Sequence, residues 1–195
     1  MAFEVVVIGT SLGGLAALQT LLSALPASFS IPLVIVQHRL SHAHSEMVQQ
    51  LQKSSALPVS EPEDKEPMLQ GHVYLAPADY HLLLERGSFS LSTEAPVLFA
   101  RPSINALFDS AAHVYGNAAV GIILTGASDD GAAGLARIKA AGGIAIVENP
   151  ATAQCQIMPH AAVSAGEIDH VLEIEKIAPC LIRLGKLTSR VKQRA

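Results

Sequence analysis

The chain has 195 residues, half of them apolar and 15% charged, with a mean hydropathy of +0.36. That suits one compact domain able to bury about 70% of its unfolded surface, and it excludes disorder except at the ends. Thirteen Lys and Arg against 17 Asp and Glu leave a formal charge of −4, which supplies no field for a polyphosphate backbone and argues against nucleic acid as a partner. Two cysteines, Cys155 and Cys180, are too few for a disulfide framework. Glu4 stands where a secretory signal would be basic, and no run reaches the ~18 apolar residues of a membrane span. The chain is therefore expected in the cytoplasm, without membrane insertion.

In chain order, residues 4–8 (Glu-Val-Val-Val-Ile) form a β-branched run ending at Gly9, and Leu15, Leu18, Leu21, Leu22 and Leu25 follow at helical spacing. A second apolar run, 32–37, leads into a loop carrying His38, His42 and His44 and then a helical stretch over about 45–53. Apart from Glu4 and Gln37 at their ends, both runs are apolar on successive residues rather than alternately, as in a parallel sheet covered on both faces. The middle, 57–100, is punctuated by Pro58, Pro62, Pro67, Pro77 and Pro96, so its short segments at 73–76, 81–84 and 89–91 read as antiparallel strands including a hairpin. A helix over 102–116 then returns the chain to strand, helix and strand at 119–124, 130–141 and 143–147. The expected fold is α/β, three-layered and doubly wound, with a mostly parallel sheet and an antiparallel hairpin portion. Residues 1–185 form one domain, and 186–195 form a basic tail with Lys186, Arg190, Lys192 and Arg194.

Gly9-Thr-Ser11-Leu-Gly13 matches G-x-S-x-G, where glycines permit a sharp strand-to-helix turn that presents a serine at a helix N-terminus. Ser11 suits equally well the N-cap of an ordinary βα turn. A dinucleotide site fits poorly, because Ser11 replaces the middle glycine and Gln37 and His38 stand where a ribose-binding acid belongs. His38 ends the second strand and should share a rim with Ser11, where an imidazole can take a serine proton; alone, it is as readily a strand-end residue. His42 and His44 lack a carboxylate or cysteine at ligand spacing, so no metal is expected. The turn at 124–134 holds Asp129 and Asp130 at a helix start, either of them a cap or the carboxylate that orients an imidazole. Serine, histidine and acid at three C-terminal strand ends are more telling together than singly.

These residues resemble, in order, the catalytic domain of the chemotaxis protein-glutamate methylesterases, the CheB family. The resemblance rests on Val-Val-Ile-Gly-Thr-Ser11-Leu-Gly-Gly, Val-Ile-Val-Gln-His38, Gly71-His-Val-Tyr-Leu-Ala-Pro77 with His81, Arg101-Pro-Ser-Ile, Ile-Leu-Thr-Gly126-Ala-Ser-Asp-Asp130-Gly-Ala-Ala-Gly-Leu, and Met158-Pro159, spanning about residues 4–184. It implies a cofactor-free serine hydrolase acting on methyl-accepting chemotaxis receptors, cleaving glutamate γ-methyl esters with release of methanol and also deamidating particular glutamines. Ser11 is then the nucleophile, His38 the base and Asp130 the orienting acid, with Thr10, Leu12, Gly13 and Ala127 around the oxyanion pocket.

Departures from the family pattern are local. Leu12 replaces a hydroxyl residue, Ala127 a methionine, Asn105 an aspartate and His160 an arginine, changes that bear on the pocket wall and on receptor recognition. Asp129 replaces an asparagine and adds charge near the triad. Ser11 lies so near the start that the resemblance implies no preceding receiver domain, and a monomer is expected. Two rival readings remain open: a methylesterase-like docking protein without activity, and a nucleotide- or phosphate-binding α/β domain.

Overall fold

The computed structural model describes residues 3–39 and 46–192, and in the last helix it describes side chains as far as Lys186. His42 and His44 lie outside the described residues. In chain order the elements are β1 (Val5–Thr10), α1 (Gly14–Ser23), β2 (Leu33–Gln37), α2 (Glu46–Ser54), β3 (Val59–Ser60), β4 (Val73–Leu75), β5 (His81–Glu85), β6 (Ser88–Ser92) and α3 (Ile104–Tyr115), followed by β7 (Ala119–Ile123), α4 (Ala132–Ala140), β8 (Ile144–Glu148), α5 (Ile157–Ala165), β9 (His170–Leu172) and α6 (Ile174–Lys192). Seven strands form a parallel sheet in the order β3-β4-β2-β1-β7-β8-β9, and β5 and β6 pair as a separate antiparallel hairpin. This is the α/β, doubly wound arrangement expected from the fully apolar strands.

The alternation of each strand divides its side chains between two cores. Val6, Ile8, Leu33, Ile35, Val120 and Ile122 pack on one face with α1, Leu51 of α2, and Ile177 and Leu181 of α6. Val5, Val7, Val34, Val36 and Val147 face α3, α4, α5 and the hairpin residues Leu82, Leu84 and Phe89. Burying one such aliphatic side chain contributes about 1.5–3 kcal/mol, so the central strands are pinned from both sides. None of the described helices is long and apolar enough to cross a membrane.

One expectation needs correction. Segment 73–76 is not antiparallel: β4 pairs in parallel with β2 and β3, because Val73, Tyr74 and Leu75 are buried on both faces and only the sheet interior covers them so. Positions 186–192 lie in helix α6.

Winding reverses at β1, which lies between β2 and β7. In open α/β sheets the crevice beyond the carboxyl ends of the strands at such a reversal is where ligands bind. Residues 11, 38 and the 124–131 loop all leave the sheet there.

Candidate active site

The register of β1 and β2 pairs Thr10 with Gln37, so Ser11 and His38 emerge from neighbouring strand ends. Backbone bonds fix both. His38 N–H donates to Thr10 O at 3.0 Å, and Ser11 N–H donates to Thr125 O at 3.0 Å. Of the two motif glycines only Gly13 makes the turn, at φ 81°; Gly9 lies within β1, where a Cβ would strike Ile104 at 2.3 Å. Gly13 is also the N-cap of α1 and has no side-chain cap bond, so Ser11 is not the cap. Among the described residues nothing bonds the Ser11 hydroxyl, and Ser11, Leu12, Gly13, Gln37 and His38 line one open cleft of about 550 Å³.

His38 Nε2 and Asp130 Oδ2 are 2.8 Å apart. Asp130 is fully buried at the start of α4 and accepts three more hydrogen bonds, from Ser103 Oγ at 3.0 Å, Ile104 N at 2.7 Å and Asn105 N at 3.0 Å. The carboxylate therefore occupies the N-terminus of α3, where free amides and the helix dipole favour a negative charge. Burial pushes its pKa up, but the His38, Asn105 and Ile104 donors outweigh burial and hold it below the ordinary aspartate value. An ionised Asp130 makes Nε2 the protonated ring nitrogen of His38 and leaves Nδ1 with its lone pair. Asp129 is exposed and makes no ion pair among the described residues.

Behind Asp130 lies a relay that sequence reading did not identify. Ser103 also caps α3, accepting from Ala106 N at 3.3 Å, and its own N–H donates to Nδ1 of buried His81 at 3.2 Å. His81 Nε2 reaches Ala95 O at 3.1 Å, so the neutral tautomer with hydrogen on Nε2 satisfies both ring nitrogens. The quoted Arg101-Pro-Ser-Ile stretch contains Ser103, but only its helix-cap character is legible locally.

Gln37 was also missed. Its buried Nε2 donates to Ser11 O and to His38 O, each at 2.8 Å, tying the two turns to one side chain. Thr125 does similar work on the other side. Its carbonyl accepts from Ser11 N and Thr10 Oγ1, its hydroxyl donates to Leu12 O at 2.9 Å, and its N–H donates to Glu148 Oε2 at 2.7 Å. Burial raises the Glu148 pKa, partly offset by that Thr125 amide, and the charge of Glu175 raises it further.

The expected pocket residues divide. Leu12 and Gly13 line the cleft and Leu12 is exposed. Ala127 is exposed on the loop that passes Ser11, where a Cβ on Gly126 would lie 2.9 Å from Ser11 Cβ. Among the described residues the N–H groups of Leu12, Gly13 and Ala127 donate to no protein acceptor. Thr10 does not belong to the pocket: it is fully buried and its hydroxyl donates to Thr125 O at 2.8 Å. Asn105 is likewise internal, its Oδ1 accepting from Gly134 N at 2.7 Å, a bond an amide makes as well as a carboxylate does. His160 is exposed and lies on α5. No group of metal-binding side chains occurs among the described residues.

Comparison with known proteins gives a consistent result. The family model described as CheB methylesterase matches residues 6–181. A Leptospira interrogans protein, provisionally named protein-glutamate methylesterase/protein-glutamine glutaminase, is 46% identical over 187 residues, covering 95% of this chain and 97% of that protein. The Anaeromyxobacter dehalogenans protein-glutamate methylesterase/protein-glutamine glutaminase 2 is 41% identical over 94% of this chain, which spans only 54% of that relative. The crystal structure of the Thermotoga maritima CheB methylesterase catalytic domain superposes with a TM-score of 0.89 at 34% identity, covering 94% of this chain and all of that one.

Proposed function

This chain belongs to the CheB methylesterase family, and from that premise we propose that it is a cytoplasmic serine hydrolase that demethylates glutamate γ-methyl esters of methyl-accepting chemotaxis receptors. Ser11 is the nucleophile, His38 the general base and acid, and Asp130 the orienting carboxylate. The observation that carries this reading is the 2.8 Å contact between His38 and a fully buried, four-fold hydrogen-bonded Asp130, next to the Ser11 turn. All three roles come from one chain, so a monomer suffices.

Ser11 Oγ attacks the γ-carbonyl carbon of the methylated glutamate as its proton passes to His38 Nδ1. Asp130 holds the resulting imidazolium and stays ionised. The tetrahedral oxyanion is met by N–H groups of Leu12, Gly13 and Ala127, a single such donor typically contributing about 3 kcal/mol to the transition state. Because the donors are backbone groups, the Leu12 and Ala127 side chains do not remove them. Collapse expels the methoxy oxygen, which takes the proton from Nδ1 and leaves as methanol. Water, deprotonated by the same nitrogen, then hydrolyses the acyl-enzyme to glutamate. With a glutamine substrate the same sequence expels ammonia.

The test is methanol release from methylated chemoreceptor membranes by wild type, Ser11→Ala and His38→Ala, with a generic methyl ester in parallel. Both variants should fall by at least about 10³-fold. Equal turnover by all three proteins overturns the assignment of roles. Cleavage of the generic ester alone leaves the chemistry and removes the receptor as substrate.

A further inference from the structure

On the side of His38 away from the Ser11 turn, a second groove of about 440 Å³ runs past Arg101 to an apolar tip formed by Leu98 and Phe99. The tip is a tight turn closed by two backbone bonds between Val97 and Ala100, at 3.1 and 2.9 Å. Phe99 is wholly exposed, at 103% of its reference area, and Leu98 is 48% exposed. Both sit in the left-handed region, at φ 63° and 48°, which bulky L residues rarely adopt. Neither side chain is repaid by burial in the fold. Exposed apolar surface next to a reacting centre marks an interaction site more often than a defect.

The charge in this groove is equally specific. Arg101 Nη1 donates to the Thr93 and Glu94 carbonyls at 3.0 and 3.2 Å, and among the described residues no carboxylate pairs with it. Arg39, in the same groove, is already paired with Glu61, and Asp79, the one acid in the described lining, is exposed and makes no ion pair with Arg101. A guanidinium without a counter-ion beside two exposed hydrophobes calls for a partner offering carboxylates and at least one apolar side chain. The groove is too open, and its tip too far outside, to enclose a small molecule. Since His38 lines it as well as the Ser11 cleft, whatever occupies it continues into the site of reaction.

We propose that the 97–99 turn and Arg101 form the docking surface for an acidic polypeptide segment that carries an apolar side chain close to its reacting glutamyl ester. This deepens the methylesterase reading and rests on it. The apolar tip selects among glutamates by their neighbours, and Arg101 attracts the carboxylates around them.

The test uses two acidic peptides, each with one γ-methyl glutamate and differing in whether a leucine or a serine stands nearby. The variant is Leu98→Asn with Phe99→Asn, because asparagine tolerates a left-handed backbone and keeps the turn while removing the apolar surface. Wild type should prefer the leucine peptide in kcat/KM by about tenfold or more, and the double variant should lose that preference at an unchanged melting temperature. Arg101→Gln should raise KM for both peptides and flatten its dependence on salt. An equal preference in wild type and double variant overturns the proposal, as does a wild-type dimer in sedimentation that the double variant dissociates, since the tip would then bind a second copy. Turnover of a generic methyl ester with neither peptide cleaved also overturns it while leaving the hydrolase chemistry standing. No turnover of any ester removes the methylesterase reading itself.

Discussion

Replacing Ser103 by alanine separates the support of the proposed triad from the triad itself. The hydroxyl makes two bonds: it accepts from Ala106 N at the start of α3, at 3.3 Å and half-buried, and donates to Asp130 Oδ1 at 3.0 Å in the interior. Loss of an N-cap costs about 1 kcal/mol, and loss of a hydrogen bond to a charged group about 1.5–3 kcal/mol. The sum, about 2.5–4 kcal/mol, should lower the melting temperature by roughly 5–15 °C for a chain of this size. Asp130 keeps its bonds from Ile104 N, Asn105 N and His38, so kcat should fall no more than about tenfold. The pH dependence adds an independent check. Because the folded-state pKa of Asp130 is lowered, its stabilisation is fully present above the ordinary value of 3.8 and is lost as pH falls through the folded value. Removing one donor shrinks that contribution. The difference between wild type and variant should therefore be largest at neutral pH and narrow below about pH 3.8. Urea titrations followed by circular dichroism, with methanol release measured on the same samples, give both quantities. A stability loss under about 0.5 kcal/mol, or a loss of kcat as deep as that of His38→Ala with an unchanged urea midpoint, would refute the assignment of Ser103 as support.

Glu148→Gln should stabilise the protein, since the amide still offers an oxygen to Thr125 N without burying a charge. The wild-type pKa is raised, so its stability is greatest below 4.5 and falls as pH rises through the folded value; the advantage of the variant should grow over that same range in unfolding titrations. Gln37→Leu removes two bonds, to Ser11 O and His38 O, and should cost about 1–3 kcal/mol of stability. It should also lower kcat for a generic ester more than it changes KM. Gln37→Glu should not rescue it, because a carboxylate facing two carbonyls has nothing to donate; rescue in steady-state assays would show that the side chain only fills space.

Much of this molecule is legible along the chain because its central strands are buried on both faces. Unbroken runs such as Val5–Ile8 and Leu33–Val36 announce a parallel sheet, and the rule that ligands gather at carboxyl ends of strands then brings Ser11, His38 and Asp130 together. The middle is less legible because prolines mark interruptions without revealing the partner of a strand. β3 has only two residues, between Pro58 and Pro62, and β4 only three. Their parallel pairing is decided by the sheet they join. The supporting polar residues were missed for a related reason: Ser103 meets Asp130 across 27 positions, and His81 meets Ser103 across 22. Glu148 did leave a signal. It is an acid ending the buried strand Ile144–Glu148 on the same rim, and the strand-end rule that selected His38 also selects it.

Because the proposed nucleophile directly follows β1, the strand from which the winding departs in both directions, the linear succession of serine, histidine and aspartate records a route and not a chemical requirement. The polypeptide visits β2 before it visits β7, so the proposed base is synthesised ahead of the proposed acid. Had the two flanks been laid down in the reverse sequence, the acid would precede the base along the chain while each atom of the relay kept its place. A relinked protein in which β7 and α4 are joined directly after α1, and β2 later, should therefore keep its ester hydrolysis if it folds.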